Sequence, residues 1–203
     1  PDGREYVRGD YLIIIGNAEL YDDLGAGSNG GDFIELKQSQ GYNVEIVSYP
    51  EIANNSSDML ENPDYLTAYL EEYSNSHPFL EYVLLIGDEN QSLDEYNIPT
   101  FTIPSYNPPI VNDQTDYPYT FWGDDVGQDG EDAYSPNFFI GRWSVSEEQD
   151  ITKLIMRNIN YYTFKFGPND IDPLYLNNAL MVAGNYNGNS ENPASWPVTP
   201  VWT

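Results

Sequence analysis

The chain has 203 residues, 33 acidic against 7 basic, for a formal net charge of -26, with no cysteine and a single histidine. Such an acidic balance excludes a phosphate-backbone partner, because nucleic-acid affinity needs basic residues that release counterions, and it disfavours an anionic membrane surface. Missing cysteine excludes thiol nucleophiles and thiolate zinc sites within these residues, while the apolar fraction of 40% suffices for a core.

In chain order the first element is a buried strand over residues 11–16, the run Tyr11-Leu12-Ile13-Ile14-Ile15 closed by Gly16. A short helix is predicted over residues 32–40, ending at Gly41 as its C′ residue. Residues 42–49 alternate as a second strand. Pro63 opens a helix to Tyr73, with Leu66, Tyr69, Leu70 and Tyr73 on one face. Tyr82-Val83-Leu84-Leu85-Ile86-Gly87-Asp88 then reads as a buried parallel strand that leaves Asp88 at its carboxyl end, where open α/β sheets place their working groups.

A long acid- and glycine-rich loop follows, carrying Asp113, Asp116, Asp124, Asp125, Asp129, Glu131 and Asp132. After it come a short strand over residues 138–140 and a helix opened by the capping-box pattern Ser146-Glu147-Glu148-Gln149. The helix runs through Ile151, Leu154, Ile155, Ile159 and Tyr162 to about Phe166. Gly167-Pro168 stops it, and residues 179–183 form a fifth strand. The alternation predicts an α/β fold, a mostly parallel sheet with helices on both faces. The tail from Gly184 to Thr203 has no settled pattern.

Crowded carboxylates call for a divalent cation or for open water, and the pattern leaves both open. No EF-hand loop is present: counted from Asp125, the third position is Gly127 and the twelfth Pro136. A calcium site here must be discontinuous, combining Asp88 with loop ligands. Asp88 as the phosphoryl acceptor of a receiver-like domain is disfavoured, since Gly16-Asn17 and Gly184-Asn185 stand where an acidic pair and a lysine belong. His77 precedes its strand and so falls at the amino end of the sheet, away from the working rim; no Gly-x-Ser-x-Gly elbow supports a serine triad. The aromatic group Tyr117, Tyr119, Phe121 and Trp122 reads either as a peptide or sugar groove or as packing of the loop on the sheet.

Taken in order, the strand ending at Asp88, Ile98-Pro99, Asp116-Tyr117-Pro118-Tyr119, Phe139-Ile140-Gly141-Arg142-Trp143-Ser144, the helix to Tyr161-Tyr162 and the strand at 179–183 resemble the amino-terminal subdomain of gingipain-type cysteine peptidases. The resemblance implies a caspase-like first subdomain over residues 1–185, with 186–203 the start of a second subdomain. That second subdomain holds the catalytic histidine, in a Gly-His-Gly context, and the nucleophilic cysteine. Neither motif occurs here, so no catalytic residue is assigned, and the chain, which opens on Pro1 without an initiator Met, is expected to be a processed or excised piece. It also implies a structural calcium ion (Ca2+) held by Asp88, the Trp122 carbonyl, Asp132 and Asn137, the last replacing a family glutamate, with Asp124 or Asp129 compensating in the lengthened loop. The implied whole is a secreted or cell-surface endopeptidase of bacterial-type export. Its expected partners are its own second subdomain and a protein or peptide substrate, with no nucleic acid and no membrane span. A free-standing calcium-dependent binding module or pseudoenzyme is the alternative. Glu191 is the only acid in residues 184–203, so no preference for basic side chains is implied.

Overall fold

The structure, a computed structural model, describes residues 8–25, 28–54, 56, 60–89, 96–104, 112–122 and 136–163. Contacts divide the chain into two units, Pro1–Phe101 with Asp116–Lys165, and Thr102–Thr115 with Phe166–Thr203. In the second unit the described residues belong to two short strands that pair, β4 (Phe101–Pro104, beginning one residue before the unit) and β5 (Asn112–Thr115). The fifth strand expected at 179–183 and the subdomain boundary expected at 185 lie outside the described residues.

The first unit is built on β1 (Asp10–Ile15), β2 (Asn43–Ser48), β3 (Leu80–Ile86) and β6 (Phe139–Trp143), a four-stranded sheet of order β2-β1-β3-β6. All three pairings are parallel. The central strands β1 and β3 are covered on both faces, which is why they read as unbroken apolar runs. Leu12, Ile14, Val83 and Leu85 point into one core with Tyr49, Leu66, Leu70 and Tyr73, supplied by α3 (Tyr49–Ile52) and α4 (Pro63–Ser76). Ile13, Ile15, Leu84 and Ile86 point into the other, with Leu20 of α1 (Leu20–Asp23), Phe33 of α2 (Asn29–Ser39), and Ile151 and Ile155 of α5 (Glu148–Thr163). The α/β architecture with helices on both faces is as expected. The short helices α1 and α3 and the pair β4–β5 were not anticipated, because four-residue elements carry too little periodicity.

Local chemistry explains the helix ends. Ser28 caps α2 by accepting the Gly31 N–H at 2.9 Å, and Asn62 caps α4 by accepting the Asp64 N–H at 2.9 Å, with Pro63 in the first turn. Gly41 follows α2 at φ 95°, as its reading as a C′ residue requires. Its N–H donates to Gln38 O at 2.9 Å and the Tyr42 N–H to Lys37 O at 3.3 Å, the paired bonds of a Schellman ending.

Candidate functional site

The carboxyl rim of the sheet is where the expected working group stands, and it is crossed by backbone. After β3 the chain returns at Tyr96–Ile98. Asp88 N–H donates to Tyr96 O at 3.0 Å, Ile98 N–H donates to Asp88 O at 2.9 Å, and Asp88 forms a parallel bridge with Asn97. This crossing explains the glycine after each central strand. A Cβ on Gly16 or on Gly87 would stand 2.4 Å from Tyr96 O, so the backbone could not pass. The Asn97 amide, buried, donates to Leu60 O at 2.9 Å and ties the crossing to the α4 side.

Arg142 holds the same rim from β6. Nε and Nη2 donate to the two carboxylate oxygens of Asp116 at 2.8 Å each, Nη1 donates to Ile98 O at 2.9 Å and Gly87 O at 3.3 Å, and Nη2 donates to Pro99 O at 3.1 Å. Guanidinium has five N–H groups, and all are used. With side-chain exposures of 12% and 18%, Arg142 and Asp116 form a largely buried bidentate pair that binds β3, the crossing and the start of the 3-10 turn Tyr117–Thr120 into one piece. No donor is left over for a substrate. In the sequence both Arg142 and Asp116 stand within short motifs, Phe139–Ser144 and Asp116–Tyr119, with nothing that marks them as a pair. The available signal was a lone arginine inside an apolar strand in a chain with 7 basic residues.

Of the residues expected to hold calcium, Asp88 stands apart from Asn137 and Trp122. Asp88 sits at the carboxyl rim, half-buried, its Oδ1 accepting the Glu89 N–H at 3.0 Å and its Oδ2 the Ser146 hydroxyl at 3.2 Å. Ser146, expected as a helix cap, thus joins the start of α5 to the end of β3. Asn137 lies two residues before β6, and its N–H and Nδ2 both donate to Thr120 O, at 3.0 and 2.9 Å. The register sets Phe139 opposite Tyr82, so Asn137 is at the amino end of the sheet. At about 3.3 Å per strand residue, it and Asp88 are on the order of 20 Å apart. Ligands of one calcium lie about 2.4 Å from the ion, so one ion cannot take both. Trp122 belongs with Asn137: its ring packs on Phe138 at 5.6 Å. Asp124 and Asp132 lie outside the described residues. Among the described residues no group of three or more His, Asp or Glu is placed to hold a metal ion.

His77 is where the sequence put it, at the C-terminus of α4 and the amino end of the sheet. Its ring stacks on Tyr73 at 4.0 Å, 10° from parallel, and Nδ1 lies 3.0 Å from both Tyr73 O and Ser76 Oγ. Of the aromatic group after Asp116, Tyr119 is fully buried, donates its hydroxyl to Pro99 O at 2.6 Å and meets Phe101 edge-on at 5.0 Å. Tyr119 and Trp122 therefore pack the segment onto the core, while Tyr117 pairs with Phe121 at 4.4 Å and stays half-exposed.

A sequence model of peptidase family C25 matches residues 5–200. Among solved structures, the chain is similar to the Arg-specific cysteine proteinase gingipain R (RGPB), with 22% identity and TM-score 0.50 over 79% of this chain and 29% of that one. It is similar also to a structure described as a protease, with 15% identity and TM-score 0.50 over 82% of this chain and 31% of that one. At these identities the likeness shows the fold, and the chain spans about three tenths of the length of the structures it matches. Among curated proteins no sequence matches.

Proposed function

We propose that this chain, which belongs to peptidase family C25, is the non-catalytic amino-terminal part of an exported gingipain-like cysteine endopeptidase. The observation that carries the reading is chemical: a family match over residues 5–200 coexists with no cysteine, and the one histidine is at the amino end of the sheet, stacked on Tyr73. In such an enzyme the thiolate attacks the peptide carbonyl and a histidine moves the proton, both from residues beyond this piece. What this chain contributes is a stiff rim. Arg142, Asp116 and the Tyr96–Ile98 crossing hold the carboxyl ends of β1, β3 and β6 in one arrangement, the preorganisation that a reacting geometry needs.

The test separates the chain from the whole. Alone, under reducing conditions, it should leave a mixed fluorogenic peptide library uncut. Joined to a downstream segment of its own protein that carries Gly-His-Gly and a later cysteine, it should cut. Turnover by the purified chain that disappears on His77→Ala would overturn the reading. A coding sequence with neither motif downstream would favour the calcium-dependent binding module or pseudoenzyme instead.

Within the same reading, calcium belongs to Asp88 together with loop carboxylates Asp124 and Asp132, and not to Asn137 or Trp122. Each Asp88 oxygen accepts one hydrogen bond and keeps a second lone pair for an ion, whose role would be to neutralise the crowded acids. Melting with millimolar calcium against chelator checks this. The calcium shift should vanish in Asp88→Asn and be unchanged in Asn137→Asp; strengthening by the second change would return Asn137 to the site.

A further inference from the structure

The α2–α5 face of the sheet carries, at its amino half, a cavity that the rim does not use. Its volume is about 540 Å³, and Tyr11, Tyr42, Tyr82 and Tyr162 wall it together with Arg8 and Lys37. Small-molecule pockets run from roughly 300 to 1,000 Å³. The Schellman ending of α2 builds one side, since it turns the chain between Lys37 and Tyr42.

Lys37 is the anomaly. It is only 7% exposed, yet in a chain of 33 acids its ammonium meets no carboxylate among the described residues. It meets ring faces instead, with Nζ 4.8 Å from the centroid of Tyr162 and 5.3 Å from those of Tyr11 and Phe33. A second cation is beside it: the Arg8 guanidinium lies 4.7 Å over Tyr42, with a long ion pair of 3.8 Å to Glu81. Ring faces attract an ammonium but leave its hydrogen-bonding demand unmet, and a buried cation without a counter-anion is costly. Burial and the Arg8 charge accordingly push Lys37 below the ordinary lysine range.

We propose that this cavity binds a small aromatic monocarboxylate, its carboxylate on Lys37 and Arg8 and its ring among the tyrosines. An aromatic cage by itself would suit a cation. Here two cations already occupy ring faces, so a cationic ligand is repelled. A monoanion matches the charge on Lys37, which no carboxylate among the described residues compensates, whereas a dianion exceeds it in a chain of net charge -26. The walls suit a flat body: Tyr11 and Tyr82 stack at 5.8 Å, and Tyr42 meets them edge-on at 5.7 Å each. Burial raises Tyr11 well above the ordinary phenol range and, with the nearby Glu81 carboxylate to which its hydroxyl donates at 3.4 Å, Tyr42 to about 12, so neither phenol competes as an anion.

Calorimetric titration of the chain with sodium benzoate, in enough salt to screen the global charge, tests this. Inorganic phosphate, at a pH alkaline enough for its dianion to dominate, and phenyltrimethylammonium serve as the dianion and cation arms. Benzoate should bind saturably and raise the melting temperature, with phosphate and the cation at least tenfold weaker. Lys37→Gln should weaken benzoate tenfold or more, Lys37→Arg should retain it, and Tyr162→Ala, at a half-exposed position that the fold tolerates, should weaken it several-fold. Absence of a saturable benzoate response would overturn the proposal. So would equal affinity in Tyr162→Ala and the parent, equal affinity in Lys37→Gln, or phosphate or the cation binding as tightly as benzoate.

Discussion

Arg142 and Asp116 illustrate how much a single pair decides. Both are mostly buried, and the arginine reaches four partners on three segments. Removing one member of a buried pair leaves the other charged and unmatched. Asp116→Ala should therefore lower the unfolding free energy by about 3 kcal/mol in urea, and Arg142→Lys should lose nearly as much, because an ammonium cannot reproduce the fork. A loss within experimental error would mean that solvent replaces the pair. Ser48 is the opposite case: its hydroxyl is buried at the junction of β2 and α3 with no partner among the described residues, and it gives α3 no side-chain cap. Ser48→Ala should be neutral or stabilising by up to about 1 kcal/mol, since it deletes an unsatisfied group. A clear destabilisation in the same denaturation assay would reveal a bonded partner.

At the scale of elements, α2 is defined by its ends more than by its apolar stripe. Ser28 satisfies an N–H at the start, and Gly41 at φ 95° closes the other end with the paired bonds from its own N–H and that of Tyr42. An alanine at Gly41 would have to adopt the left-handed conformation, at about 1–2 kcal/mol. Gly41→Ala should lower the denaturation midpoint by that amount without altering the slope. Because the same turn aligns Lys37 with Tyr42, the variant should also weaken benzoate in the cavity. Unaltered stability would show that the turn relaxes freely.

For the molecule as a whole, tyrosine governs the alkaline limit. Burial raises Tyr11, Tyr21, Tyr42, Tyr49, Tyr69, Tyr73 and Tyr119, with Tyr42 and Tyr69 at about 12. A raised folded value means that the neutral phenol is favoured by the fold. That stability is fully present below the unfolded value of about 10 and is lost as pH rises from there through the folded values. Part of the phenolate absorbance should thus be withheld above pH 10 and appear together with loss of the circular dichroism of the fold. Complete ionisation of all tyrosines with the fold intact would contradict the packing described above.

The local features of this chain were legible without coordinates: the apolar runs of β1 and β3, Pro63 at a helix start, Gly41 past a helix end, and His77 at the amino end of the sheet. Each depends on neighbours a few residues away, on backbone angles or on period, so the sequence itself determines it. So too does the absence of cysteine, which removes thiol chemistry from these residues. The tertiary structure alone decided that Asp116 meets Arg142 across 26 positions, that Tyr96 passes over Gly16 and Gly87, and that Asp88 and Asn137 face opposite ends of the sheet. It alone also gathered Lys37, Tyr11 and Tyr162 around one cavity. Those outcomes depend on strand register and on the route of the loops, which no periodicity records: Asp88 follows one strand and Asn137 precedes its parallel neighbour, so the register sets them at opposite ends of the sheet.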